Sequence, residues 1–400
     1  MSGDKPVLIV VGTRPEGIKM IPVYFALKEA GIPVMLCSTD QHTDLLQEVF
    51  DVFAIQPDVH LRIGKAGQDL FHINEAVLRE CKKLYVAVQP SLVLVEGDTT
   101  TIMAAGLAAF YMHIPIGHVE AGLRTYDIEQ PFPEELNRRI VSHFAQYHFA
   151  PTLLAERNLL SENIDPSLVH CVGNTVVDAL RIVKERLDCG QLVPRRDIKN
   201  VIEQGKVMGQ KIVLLTAHRR ESFHGGIERI LTTVKRIADQ RDDILFVYPF
   251  HPNPHVLEAI EKSEIRDMQN CYVARPLSYL DMVYVLHETD FIMTDSGGIQ
   301  EEGVSLGKHV MVLREKTERM EGVSAGLAHM VGTDAVQMAK VFEQLCVLSE
   351  RPAVHSSVYG DGYAAQKIVH IIEESRRIMR NEEVYQARAY TKEREQEAAS

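Results

Sequence analysis

Residues 7 to 23 read VLIVVGTRPEGIKMIPV, and the junction inside this stretch decides the fold. Val7–Val11 is an unbroken apolar run, the pattern of a strand covered on both faces. Gly12 ends it, Thr13 can cap a helix, and Pro15 suits a first helical turn, where a missing N–H costs nothing. A buried strand that passes so quickly into a helix opens a βαβ unit. Arg14 at the helix mouth and Lys19 about one turn in add cations to the positive end of the helix dipole, so the junction is a candidate anion site. The competing reading pairs Arg14 with Glu16 or another surface acid. The G-x-G-x-x-G spacing of a dinucleotide-binding turn is absent. Pro22 lies too deep to be a cap and predicts a kink, because it removes the bond to Ile18.

Outward from this junction the same alternation continues. Strands are expected at Val34–Ser38, Leu92–Glu96, Ile114–Val119, His148–Ala150 and Val169–Val172, with helices at Ile21–Leu27, Asp44–Phe53, Leu70–Leu84 and Thr101–Tyr111. After a charged helix and connector from Thr175 to Gln210 a second series begins. Its strands are Lys211–Thr216, Asp243–Pro249, Cys271–Ala274, Phe291–Thr294 and His309–Leu313. The pattern predicts an α/β protein of two doubly wound domains, residues 1–175 and 176–362, with a cleft between them. A helix over 363–377 and the charged tail Asn381–Ser400 follow, and this end is expected to pack back on the first domain.

Composition narrows the function. A chain of 400 residues exceeds one compact core and suits two. The formal charge of −12 argues against nonspecific nucleic-acid binding, which needs a basic face, but leaves room for a small phosphorylated ligand. No apolar stretch reaches the ~18–20 residues that span a bilayer, and no basic-then-apolar signal opens the sequence, so a cytoplasmic protein without membrane partners is expected. The six cysteines lack C-x-x-C spacing and the 17 histidines lack a helical H-x-x-x-H pair, which argues against a structural metal.

Ligands of doubly wound sheets bind at the carboxyl ends of the strands, so the residues just past each strand carry the functional signal. These are Gly12-Thr13-Arg14, Gly97-Asp98-Thr99, His118-Val119-Glu120, His218-Arg219-Arg220-Glu221 and Asp295-Ser296-Gly297-Gly298. In TDSGGIQEEGVSLG the two glycines let backbone N–H groups approach a diphosphate, and Glu302 could accept the hydroxyls of a ribose. HVEAGLRT and PFPEELNRR add Glu120, Glu134 and Glu135 near Asp98. Carboxyls gathered in one cleft are expected to raise one another's pKa values, as acid–base chemistry at a sugar carbon requires. His218 becomes a candidate phosphate contact beside its arginines; His251 reads as a loop-packing residue.

GTRPEGIKM, VEGDTTT, HVEAGLRT, PFPEELNRR, TAHRRESF, TDSGGIQEE and EKTER occur in this order, and with them the chain closely resembles the non-hydrolysing UDP-N-acetylglucosamine 2-epimerases. The resemblance implies two Rossmann-like domains of the GT-B type, a homodimer, and interconversion of UDP-GlcNAc with UDP-ManNAc without metal or cofactor. It implies Asp98, Glu120, Glu134 and His218 as catalytic residues. Ligand contacts carried over by motif are Arg14, Lys19, Asp98, Glu120, His218, Leu277, Met282, Ser296, Gly297, Gly298, Glu302 and Arg319. Three departures stand out. Met320 occupies the place of a frequent proline, Met282 that of an aromatic residue near uracil, and Thr43, Asp44 and Gly67 replace residues that bind an activating second substrate in some members. Allosteric activation is therefore not expected. A hydrolysing 2-epimerase and a retaining glycosyltransferase of the same fold are the alternatives.

Overall fold

The computed structural model describes residues 5–41, 43–65, 67–219, 223, 225–348 and 357–377. The charged tail Asn381–Ser400 lies outside them. Seven parallel strands form the first sheet: β1 (Val7–Val11), β2 (Val34–Ser38), β3 (Val59–His60), β4 (Leu92–Glu96), β5 (Ile116–Val119), β6 (Tyr147–Ala150) and β7 (Val169–Cys171), in the order β3-β2-β1-β4-β5-β6-β7. Six more form the second: β8 (Lys211–Thr216), β9 (Ile244–Pro249), β10 (Cys271–Ala274), β11 (Phe291–Thr294), β12 (His309–Val312) and β13 (Ala328–Met330), in the order β10-β9-β8-β11-β12-β13. Both sheets reverse direction of winding beside their first strand, between β1 and β4 and between β8 and β11. These are the crevices where such sheets hold ligands.

The strands read as continuous apolar runs because helices cover both faces; every residue of β1 is buried. The opening helix runs unbroken from Arg14 to Glu29, through Pro22, and starts earlier than the expected Ile21–Leu27 segment. It is enclosed between the first sheet and the helices Thr43–Phe53 and Thr175–Asp188. Gly17 allows this approach: a Cβ there would lie 2.5 Å from Leu46 Cδ1. The Thr175–Gln210 stretch forms two helices, Thr175–Asp188 and Arg196–Val207. Two edge strands escaped sequence reading. β3 has two residues and β13 three, too few for a periodic signal.

The sheets are joined twice. The chain leaves β7 through Gly173 and Asn174 and returns through Tyr359 and Gly360 to a helix over 364–377. That helix lies against the first sheet, where Ser375 hydrogen-bonds Tyr147 and Arg376 Nη2 donates to the Lys5 carbonyl at 2.8 Å. Across the cleft Thr152 Oγ1 donates to Glu321 Oε1 at 2.6 Å, and Phe53 stacks on Tyr279 with centroids 6.2 Å apart.

Candidate active site

At the first crevice, Gly12 sits where a Cβ would meet Thr39 Oγ1 at 2.4 Å, so the strand must end in glycine. The Glu16 carboxylate then organises the turn. Its Oε2 accepts the N–H groups of Gly12 (2.6 Å) and Thr13 (3.2 Å), and its Oε1 accepts the Thr99 hydroxyl (2.8 Å) from the segment after β4. Glu16 is thereby committed to the turn rather than to Arg14. Arg14, half-buried, makes no hydrogen bond or ion pair with any described residue, and its charge is felt by Glu302 and Tyr279 across the cleft.

Lys19, one turn deeper, is committed elsewhere. Its ammonium lies 2.5 Å from Glu120 Oε1 and 3.1 Å from Glu96 Oε1, all three groups buried. Burial opposes the Lys19 charge, yet Glu120, Glu96 and Glu301 hold it protonated well above the ordinary lysine range. Burial alone would also raise Glu120, but Lys19 and Arg319 outweigh it and bring its pKa down to about 2. Glu96 goes the other way: burial pushes it well above the usual carboxylate range, against the pull of Lys19 and helped by Glu120. The expected mutual raising of the acids thus fails for Glu120, because Lys19 and Arg319 outweigh burial and the neighbouring carboxyls there. Glu120 has φ 63°, a left-handed conformation uncommon for a residue with a side chain and typical of sites where function maintains strain. Beside it Gly97, at φ 80°, leaves the Glu120 Oε2 open to within 3.8 Å of where a Cβ would be.

Asp98, just past β4, is held by Arg138, whose Nη2 reaches its Oδ2 at 2.5 Å, while Asn137 Nδ2 donates to its carbonyl at 2.9 Å. Glu134 opens the helix Glu134–Phe144, and burial together with the Asp98 charge raises its pKa. Glu135, the next residue, is structural: it accepts the backbone N–H groups of Thr125 and Tyr126 at 3.0 and 3.2 Å. Arg124 of HVEAGLRT is also structural, in a two-pronged pair with Glu162 at 2.8 Å on each arm.

The second crevice is built around Asp295. Fully buried at the end of β11, its Oδ2 accepts the N–H groups of His218 (2.6 Å) and Arg219 (2.7 Å), fixing the turn after β8. His218 stacks on His251 with centroids 5.7 Å apart, which sets His251 of the loop after β9 beside the turn after β8. Burial lowers the His218 pKa, Asp295 opposes, and His251 and Arg219 add to the lowering. Arg220 and Glu221 of this motif lie outside the described residues. Ser296 precedes the helix Gly297–Ser305, and its N–H donates to Thr294 Oγ1 at 2.9 Å. A Cβ on Gly297 would lie 2.9 Å from the Arg319 guanidinium carbon; one on Gly298 would meet nothing within 4 Å. Gly297 therefore makes room for Arg319, and Gly298 faces open space at a helix N-terminus.

Arg319 binds Glu301 Oε1 through Nε at 2.9 Å and pairs with Glu318, and it acts electrostatically on Glu120 and Asp98 across the cleft. Burial raises Glu302 to about 7 against the pull of Arg14. Leu277 is buried in the core, and Met282 packs half-buried against it. The structure therefore gathers Lys19, Asp98, Glu120, Glu134 and Arg319 into one electrostatic network. Arg14 and Glu302 form a second group, and His218 stands with Ser296–Gly298 in the other crevice. Sequence reading passed over Glu96, Arg138, Asn174 and the structural role of Asp295. Glu96 and Asp295 each end an apolar run, and Asn174 follows a glycine at a helix start, the one place where a signal stood in plain view.

Two doubly wound parallel sheets facing across a charged cleft define a two-domain α/β enzyme of the GT-B type. Residues 26–373 match the family model for UDP-N-acetylglucosamine 2-epimerase. The UDP-N-acetylglucosamine 2-epimerase of Escherichia coli K12 is 42% identical over 92% of this chain and 99% of its own length. The crystal structure of the Neisseria meningitidis UDP-GlcNAc 2-epimerase bound to UDP-GlcNAc superposes with a TM-score of 0.84 at 41% identity, covering 92% of this chain and 100% of that one. The Methanocaldococcus jannaschii UDP-GlcNAc 2-epimerase in complex with UDP-GlcNAc and UDP gives a TM-score of 0.77 at 29% identity, over 92% and 99%. The chain belongs to the UDP-N-acetylglucosamine 2-epimerase family, whose members are isomerases.

Proposed function

We propose that this protein interconverts UDP-GlcNAc and UDP-ManNAc at C2 without releasing free sugar. The hydrogen on C2 is too weakly acidic for direct removal, so the reading takes the route of elimination and re-addition. UDP leaves C1 with the bonding electron pair, a carboxylate takes the C2 proton, and 2-acetamidoglucal forms with a double bond between C1 and C2. A carboxylic acid then protonates C2 on the opposite face and the UDP oxygen returns to C1.

The reading is carried by one observation: a buried Glu120 carboxylate with the Lys19 ammonium 2.5 Å away and the Arg319 charge acting on it from the second domain, which together keep it ionised. Such a group stays ionised at any working pH and stabilises positive charge developing at C1; as a base it is weak, which suffices for a C2 proton that the charge at C1 has made acidic. Glu134, with a raised pKa and access to the cleft, suits proton delivery, and Asp98 beside Arg138 completes the acid set. Arg14, His218 and the Ser296–Gly298 helix start hold the departing diphosphate, while Glu302 takes the ribose. Closure of the cleft keeps UDP and the glycal together. We further assign the enzyme to the cytoplasm as a homodimer, in the supply of surface polysaccharide precursors.

Incubation with UDP-GlcNAc in D₂O, followed by NMR, tests the proposal. The expected product is UDP-ManNAc carrying deuterium at C2. Free ManNAc as the main product would point to hydrolysis instead, and absence of turnover without an acceptor to sugar transfer.

A further inference from the structure

We propose that Asn174 is a positioning residue for Glu120, tying the orientation of that carboxylate to the crossing of the two connections between the sheets. The inference rests on the epimerase reading above. Asn174 is buried, and its Nδ2 donates to Glu120 Oε1 at 3.1 Å, the same oxygen that Lys19 approaches. Its Oδ1 accepts the Val176 N–H at 3.0 Å and so caps the helix Thr175–Asp188. An oxygen fixed on a backbone donor leaves only the NH₂ group to face Glu120, so the partners settle the orientation of the amide.

The backbone of the same residue sits at the crossing. Its N–H donates to the Tyr359 carbonyl at 2.7 Å, on the returning connection. Next to it Gly173 and Gly360, at φ 101° and 112°, meet backbone to backbone: a Cβ on Gly173 would lie 3.2 Å from the Gly360 Cα. One turn along the helix, Asp178 accepts the N–H groups of Ala364 and Ala365 at 3.2 and 2.8 Å, fastening the start of the final helix. One short element therefore holds both connections and one oxygen of Glu120. A movement of one sheet against the other is felt at the carboxylate through a single rigid amide.

Three variants separate positioning from capping. Asn174→Asp keeps an oxygen for Val176 but turns an acceptor toward Glu120. Asn174→Ser keeps a capping hydroxyl too short to reach the carboxylate, and Asn174→Ala lacks both functions. Epimerisation kinetics and melting temperature are measured on the same preparations. The expected result is a fall in kcat of roughly 10–100-fold in all three with KM changed less than about threefold, the scale of a slightly misplaced reacting group. Melting temperature falls in Asn174→Ala, which lacks the cap, and in Asn174→Asp, which buries a carboxyl against Glu120, and holds in Asn174→Ser, the variant that separates the two roles. In Asn174→Asp the acidic limb of the kcat profile moves to higher pH, because a donor to Glu120 has become one more carboxyl in a cluster that already holds Glu96, Glu301, Lys19, Arg319 and His118. Wild-type kcat in the Asp and Ser variants overturns the proposal, as does a loss of kcat that tracks melting temperature across the three. No turnover of UDP-GlcNAc by the wild-type protein overturns the epimerase reading and this inference with it, and shows before any variant is made.

Discussion

The two walls of the cleft are built on opposite principles. On the first, the charges answer one another inside the protein: Lys19 lies between Glu96 and Glu120, and Arg138 holds Asp98. On the second, the groups nearest the opening are left for something else, with Gly298 facing open space at a helix start. The opening helix shows both principles within one turn. Arg14 at its mouth has no partner among the described residues, while Lys19 is buried among three carboxylates. A wall that meets a reacting carbon has to hold its charges before substrate arrives, because organised dipoles and charges act without reorganisation at the moment of reaction. A wall that grips a diphosphate supplies donors that the ligand itself satisfies.

Replacing Glu120 tests the first wall hardest. Glu120→Gln keeps the shape and removes the charge that Lys19 and Arg319 stabilise, and turnover is expected to fall on the order of 10²–10⁴-fold. Steady-state rates of UDP-ManNAc formation measure it. Wild-type turnover would mean that this wall is only a structural ion cluster.

Lys19→Met comes next and reads out in stability. Removing Lys19 takes the nearest counter-charge from the buried Glu120 carboxylate beside Glu96, and breaking a buried pair in this way typically costs about 3–5 kcal/mol. Urea unfolding monitored on the purified protein should show the loss. Arg14→Ala should change unfolding far less, since the Arg14 side chain makes no hydrogen bond or ion pair with a described residue and acts on Glu302 only through its charge. UDP binding by calorimetry should weaken by about 1.5–3 kcal/mol, the scale of a charge-assisted hydrogen bond to phosphate. Equal destabilisation by both changes would dissolve the distinction between the walls.

The same distinction explains what could be read from sequence. Strand ends such as Asp98, Glu120 and Ser296-Gly297-Gly298 were visible because polar residues after apolar runs are conspicuous. Glu96 was not, since it reads as the last residue of the run LVLVE and its partners lie 24 positions away at Glu120 and 77 away at Lys19. The depressed pKa of Glu120 was equally hidden: the acids are adjacent in sequence motifs, but the cations that decide their charge come from another helix and from the opposite sheet. Doubly wound topology was legible from β1 and β8 because covered parallel strands are apolar throughout. β3 and β13 were lost because a two- or three-residue edge strand is defined by its pairing and not by its pattern. Asp295 looked like part of a phosphate loop, whereas its buried carboxylate holds the backbone of the neighbouring turn.

Glu302 offers the finest test, because it is the acid of the open wall. Burial lifts its pKa from the ordinary 4.5 to about 7, with Arg14 pulling the other way. The folded state thus binds this proton more tightly than the unfolded chain does. The contribution of Glu302 to stability is full below about pH 4.5 and is lost as the pH rises through about 7. Glu302→Gln mimics the protonated form at every pH. The stability difference between variant and wild type, from urea unfolding, should be near zero at pH 4.5 and favour the variant by about 1–3 kcal/mol at pH 8. In an Arg14→Ala background the same crossover should move to higher pH, because the nearest cation is gone. A difference independent of pH would mean that Glu302 already has a fixed partner, and the second wall would then be as closed on itself as the first.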